Sequence, residues 1–243
     1  MNIRFTLNAN PCQLDVDPVR PLLDVLREDL RLTGTKQGCD HEGECGACTV
    51  LLNDEPVRSC LTPVGKVHGQ RVTTIEGLGS LDHLHPLQQA FLEVGAVQCG
   101  YCTPGMLLTA KALLDQNPYP SADDIKQELA GNICRCTGYT RIVQAVQLAA
   151  ERMAKGSTAH EPAPDKEERV LGGSNVRVDG LSRVTGRALF AEDIPREDLL
   201  HLLVIRSPHH HARLLDVKIK KAQSIPGVVK VLTAADIPGE NGL

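Results

Sequence analysis

Apolar and polar residues alternate at the start of the chain. Ile3, Phe5 and Leu7 are separated by polar neighbours, the two-residue period of a half-buried strand. Asn8 to Pro11 carry turn chemistry, and Cys12, Leu14 and Val16 resume the alternation, so the pattern predicts a hairpin. Pro21, placed where its missing N–H costs nothing, predicts a helix over 22–30. A Gly- and Cys-rich loop over 33–48 leads to strands over 49–52 and 57–59, with a turn between them, and a last strand over 72–75. Residues 1–79 therefore read as a small β-rich domain with one helix.

The period then lengthens to that of helices. The pattern predicts helices over 84–94, 104–116, 121–129 and 139–153. Met106, Leu107, Ala110, Leu113 and Leu114 share one face of the second. Ser121-Ala122-Asp123-Asp124 is a cap with acidic residues in its first turn. Four helices joined by short links predict a bundle over 80–154. Residues 155–174 show no apolar period and read as a solvated linker rich in small and charged residues and proline. Beyond it, 202–205 and 228–232 read as strands of a mixed α/β segment, 175–243, which stops soon after the second strand.

Composition narrows the function classes. Aromatics are 2% of the chain, so stacking platforms for bases are not expected. The formal net charge of −4 lacks the basic surplus of a nucleic-acid binder. No stretch approaches the ~20 apolar residues of a bilayer span. The opening MNIRFTLNAN lacks the apolar stretch of a secretory signal, so a cytoplasmic, reducing setting is expected. There nine Cys do not form a disulfide framework and need another explanation.

Eight of the nine fall into two quartets, one per domain: Cys39, Cys45, Cys48 and Cys60, then Cys99, Cys102, Cys134 and Cys136. Four thiolates are the ligand set of iron–sulfur clusters or of structural zinc. The first quartet runs C-x5-C-x2-C-x11-C, one residue longer in its first gap than the plant-type ferredoxin spacing. Gly38, Gly43 and Gly46 let backbone amides approach an anionic cluster. In the second quartet both Cys pairs precede predicted helices, whose free N–H groups and positive dipole ends suit an anion. Tyr101 and Tyr139 lie in the same motifs and are expected to shield that site. A zinc ribbon would place its two C-x2-C knuckles closer together than Cys48 and Cys99. Iron–sulfur is therefore the leading reading, with a non-redox zinc-binding interaction module as the alternative. Cys12 reads as a core thiol, and His209-His210-His211 as a structural turn, since three adjacent side chains do not face one ion.

These motifs resemble a known family. GCDHEGECGACTV (38–50), SCLTPV (59–64), VTTIEGL (72–78), QCGYCTPGM (98–106) and NICRCTGY (132–139) are similar to the two-cluster iron–sulfur part of the molybdenum hydroxylases. That family includes xanthine dehydrogenases, aldehyde oxidoreductases and nicotinate-type dehydrogenases. RVDGLSRVTGRALFAEDIP (177–195), RSPHHHARL (206–214) and PGVVKVLTAADIPG (226–239) resemble the opening of the molybdenum-binding subunit.

The resemblance implies an α+β organisation: a β-grasp ferredoxin-like domain, a four-helix [2Fe-2S]-binding domain, and a partial α/β, hammerhead-like fragment of the molybdopterin-binding catalytic domain. It implies two [2Fe-2S] clusters, the outer on Cys39, Cys45, Cys48 and Cys60. The inner, nearer the pterin, would lie on Cys99, Cys102, Cys134 and Cys136. Gln98 and Cys136 would contact molybdopterin; on residue type alone Gln98 reads equally as a helix cap. Electrons from hydroxylation of an aldehyde, purine or N-heterocycle would pass through the inner cluster, then the outer, to flavin or an external carrier. The implied partners are a molybdopterin-binding catalytic polypeptide and a flavin subunit or soluble carrier, in an assembled dimer. The family's active-site glutamate is expected downstream of Leu243. Five residues between Cys39 and Cys45, where the family has four, are expected to bulge an exposed loop.

Overall fold

The computed structural model describes residues 1–156, 177–194 and 198–240. They form two units, Met1–Pro195 and Arg196–Leu243. The linker expected over 155–174 lies, from residue 157 on, outside the described residues.

In the first unit, β1 (Asn2–Leu7) and β2 (Asn10–Asp15) pair antiparallel. Their two-residue turn, Asn8-Ala9, has positive φ at both positions (48° and 65°), the primed geometry that matches strand twist. Pro11 lies inside β2 rather than in the turn; this is tolerated because β2 is the edge of the sheet. β3 (Thr49–Leu52) and β4 (Glu55–Arg58) make a second hairpin, and β5 (Arg71–Thr73) joins the two. The sheet order is β2-β1-β5-β3-β4, with β5 parallel to β1 and antiparallel to β3. α1 (Leu22–Asp24) runs into a π-helical turn, Val25–Asp29, and packs Leu22, Val25 and Leu26 against Ile3, Phe5 and Val50.

Four helices follow: α2 (Pro86–Glu93), α3 (Thr103–Gln116), α4 (Ala122–Glu128) and α5 (Thr140–Ala154). Ser121 caps α4 in reciprocal bonds with Asp124, and His85 caps α2 with Gln88. Phe91, Met106, Leu107, Ile142 and Val146 form the centre of the helical core. Each such burial contributes roughly 1.5–3 kcal/mol.

β3 ties the two halves together. Val50 faces the core of the sheet domain, while its neighbour Leu51 belongs to the helical core. Strand alternation thus places one short strand between two cores, with α3 packed on it. Residues 177–194 also belong to this unit. α6 (Gly180–Val184) inserts Val184 into the helical core, and Gln88 Nε2 donates to the Val184 carbonyl at 2.8 Å.

In the second unit, residues 198–240 contain α7 (Lys220–Gln223) and a 3-10 turn, Ala234–Asp236. The strands expected over 202–205 and 228–232 are not formed among the described residues. An apolar run makes a strand only beside a hydrogen-bonding neighbour, and these segments have none among the described residues. His209, His210 and His211 are exposed in a bend, in keeping with the turn reading. No helix among the described residues is long and apolar enough to cross a membrane.

Candidate metal centres

The first quartet gathers where the loop after α1 folds back over the sheet. Cys48 enters β3, and Cys60 lies in the 3-10 turn Ser59–Leu61 that ends β4. Their sulfurs approach to 3.3 Å over Leu23, both buried. Ser59 locks the pair by donating its hydroxyl to the Cys48 carbonyl at 2.7 Å. Cys39 and Cys45 face each other at the rim of the loop. The Cys39 thiol is held below its ordinary range by N–H groups of Cys45, Glu44 and Gly43, an anion-binding nest. Burial pushes Cys45 up, and burial beside Cys48 pushes Cys60 up to about 12.

The long first gap does bulge. Asp40 and His41 both take positive φ, and the Asp40 side chain is 96% exposed. His41 is nevertheless pinned: its Nε2 lies 2.7 Å from Asp24 Oδ1 on α1, and its Nδ1 faces Gln37 Nε2 at 3.3 Å. The extra residue is therefore absorbed at the rim and fastened to the helix behind it.

The second quartet lies at two helix starts. Cys102 is the N-cap of α3, and Cys134 and Cys136 precede α5, whose N-cap is Tyr139. The thiols pair as Cys102 with Cys134 and Cys99 with Cys136. Burial pushes Cys102 far up. Burial also opposes ionisation of Cys134, but hydrogen bonds from Thr137, whose hydroxyl is 3.1 Å from the sulfur, leave it below its ordinary range. Tyr139 braces the loop, its hydroxyl accepting from the Cys134 N–H at 2.8 Å. Tyr101 reaches away, donating to the Gln37 carbonyl at 2.5 Å.

Each quartet is thus two pairs of thiols. Two pairs of thiolates supply the two ligands that each iron of a dinuclear [2Fe-2S] unit takes. Crowded thiols that resist losing protons beside one another are also those a cationic metal centre deprotonates. The residues present therefore fit the clusters.

The quartets meet at a seam. The Ile133 N–H, next to Cys134, donates to the Cys45 carbonyl at 2.9 Å. Asn132, buried, donates to the Gly46 carbonyl at 2.9 Å and accepts from Thr109 Oγ1 at 3.0 Å. A Cβ on Gly46 would fall 2.3 Å from the Gly131 carbonyl oxygen, so close approach of the two loops requires glycine there. Spacing alone does not single out Asn132 and Ile133. Their signal was their place immediately before Cys134, in a motif otherwise read for its thiols.

Gln98 is exposed beside Cys99 and does not cap α3, whose cap is Cys102. Its carbonyl accepts from Arg177 at 2.6 Å. Cys12 is half-buried against the sheet core, and burial raises its thiol, as for a packing residue. 

Comparison with known proteins agrees with this architecture. Residues 5–72 match the family described as 2Fe-2S iron-sulfur cluster binding domain, and 74–147 the [2Fe-2S] binding domain. Residues 185–242 match the a/b hammerhead domain of aldehyde oxidase and xanthine dehydrogenase. The nicotinate dehydrogenase small FeS subunit of Eubacterium barkeri is 51% identical over 154 residues, which is 63% of this chain and 98% of that protein. The aldehyde oxidoreductase of Megalodesulfovibrio gigas is 38% identical over 98% of this chain, but the chain spans only 27% of that protein. The crystal structure of the aldehyde oxidoreductase from Desulfovibrio desulfuricans superposes with a TM-score of 0.84 at 40% identity, covering 99% of this chain and 27% of that one.

Proposed function

Since the chain belongs to the molybdenum hydroxylase family, as its two-cluster iron–sulfur part joined to the start of a molybdenum-binding subunit, we propose that it relays electrons from a molybdopterin centre to flavin or an external carrier. Each [2Fe-2S] cluster, when bound, supplies a one-electron carrier. Cys99, Cys102, Cys134 and Cys136 would hold the inner one, and Cys39, Cys45, Cys48 and Cys60 the outer. Gln98 and Cys136, on the exposed side of the inner quartet, would face the pterin. The electrons would come from hydroxylation of an aldehyde, purine or N-heterocycle on a partner or continuing polypeptide. Exposed Leu202, Leu203 and Ile205 offer that polypeptide an apolar surface. The assembled enzyme would be a cytoplasmic dimer.

The observation that carries this reading is the Ile133 N–H to Cys45 carbonyl bond. It joins a residue bonded to an inner ligand directly to an outer ligand, across one hydrogen bond. A structural zinc module has no need of such a bridge between its two sites.

Reconstitution with iron and sulfide tests the reading. Two clusters require four irons per chain and two distinct EPR signals after reduction. Cys48→Ser should remove one signal and Cys134→Ser the other. A colourless chain that takes up zinc in preference to iron, or one with a single iron site, overturns it.

A further inference from the structure

The residues that brace the inner quartet from outside come from beyond residue 176. α6 is anchored through Val184, which is fully buried among the bundle helices. From this anchored turn Arg183 lies across Gly100: a Cβ on Gly100 would meet the Arg183 side chain at 2.7 Å, and Gly100 has a φ of +87°. The Arg183 guanidinium donates to the carbonyl of Cys99. Arg177 donates to the carbonyl of Gln98. Asp179 holds both cations, with Arg183 Nη2 2.7 Å and Arg177 Nη2 3.1 Å from its Oδ2. Two guanidiniums and one carboxylate leave this triad with one net positive charge. The Arg183 side chain is 18% exposed, so solvent screens it only in part.

We infer that Arg183, oriented by Asp179 and assisted by Arg177, is a positioning residue that raises the reduction potential of the inner centre. The inference rests on the proposal that the Cys99 quartet holds a [2Fe-2S] cluster. One electron takes four thiolates, two sulfides and two ferric ions from a net −2 to −3, with no proton taken up. A cation fixed on the backbone of a ligand favours the more negative form. Because Arg183 lies in the segment that opens the molybdenum-binding part, that segment makes the iron–sulfur part a better electron acceptor where the electron enters.

The test is an EPR-monitored redox titration of the reconstituted full chain with dithionite as reductant, the inner signal being the one lost in Cys134→Ser. Arg183→Gln should lower the reduced-to-oxidised ratio of the inner centre about ten-fold at fixed potential, or 59 mV for a one-electron couple, leaving the outer centre in place. Arg183→Lys, which keeps the charge, should recover most of the shift. Asp179→Asn, which removes the opposing charge, should move the inner midpoint upward. If Arg183 only fastens α6, thermal stability falls while the midpoint stays, and the inference is overturned. Should Arg183→Gln lose the inner centre, Asp179→Asn decides: an upward shift supports the inference, and an unmoved or lowered midpoint refutes it. A wild-type chain with one EPR signal would instead refute the two-cluster reading itself.

Discussion

Asp193 and Lys36 are 157 residues apart in sequence and 2.6 Å apart in space. Their side chains are 0% and 1% exposed. Asp193 also accepts from Arg27 at 2.8 Å and from the Phe190 N–H at 2.9 Å. Lys36 lies 4.6 Å from the Phe190 ring centroid and donates to the Ala188 carbonyl. Burial lowers the Lys36 ammonium and works against the Asp193 carboxylate, but Lys36 and the backbone N–H hold Asp193 below its ordinary range. Removing the carboxylate strands the buried Lys36 ammonium and leaves Arg27 only Glu192 at 3.7 Å, whereas removing the lysine leaves Asp193 paired with Arg27. Asp193→Asn should therefore cost about 3–5 kcal/mol in urea unfolding, and Lys36→Met less than half as much.

His85 should make stability depend on pH. Burial, then the Lys111 ammonium, brings its imidazole down to about 4. Its neutral Nδ1 accepts the Leu87 N–H that caps α2, a bond protonation abolishes. An unfolded His takes up its proton near 6.5, so between about 6.5 and 4 the unfolded state binds more protons. Stability is full above that window and falls as pH drops through it, by about 3 kcal/mol in total. His85→Asn, which can cap without titrating, should flatten the change between pH 7.5 and 5.5. An imidazole NMR titration with a midpoint near 6.5 would contradict this.

Gly46→Ala should be severe. The added methyl meets the Gly131 carbonyl, and the residue has a φ of +68°. A loss of about 3 kcal/mol or more is expected, with reduced iron uptake at the outer site. Gly69 has a similar φ of +75° but open space around its Cβ, so Gly69→Ala should cost only about 1 kcal/mol and leave iron content unchanged. Equal effects in the two variants would show that backbone conformation, not loop contact, dominates.

Asn132 should respond more to loss of its donor than to loss of volume. Its Nδ2 serves the Gly46 carbonyl and, at 3.3 Å, Thr49 Oγ1. Asn132→Ala should cost about 1–2 kcal/mol by taking the acceptor from the buried Thr109 hydroxyl, since the Gly46 carbonyl keeps the Thr49 N–H and hydroxyl as donors. Asn132→Asp, nearly isosteric, should cost more, because it aims a carboxylate at a carbonyl oxygen. Chemical denaturation at pH 7 ranks the two.

The elements that were legible in sequence are those whose signal is local. The alternation of Ile3, Phe5 and Leu7, the cap at Ser121 and the close spacings of Cys45 with Cys48, Cys99 with Cys102 and Cys134 with Cys136 each speak within a few residues. Lys36 is the opposite case. A lysine in a Gly- and Cys-rich loop reads as surface, and its burial depends on Asp193. The strands expected over 202–205 and 228–232 failed for a related reason: a short apolar run states a preference, and the neighbouring strand that realises it is absent from the described residues. The bridge from Ile133 to Cys45 uses only backbone atoms, which leave no mark in residue type.

The pairing of β1 with β5 has a consequence for assembly. It joins Thr6 to Arg71 and Leu7 to Val72, and Cys39, Cys45, Cys48 and Cys60 all lie between those strands. On the ribosome, the N-terminal hairpin must wait for residue 73 before the sheet can close around the outer ligand set. Such long-range parallel pairing is slow to form. The order of synthesis thus places all four outer ligands in the chain before the strand that closes their sheet.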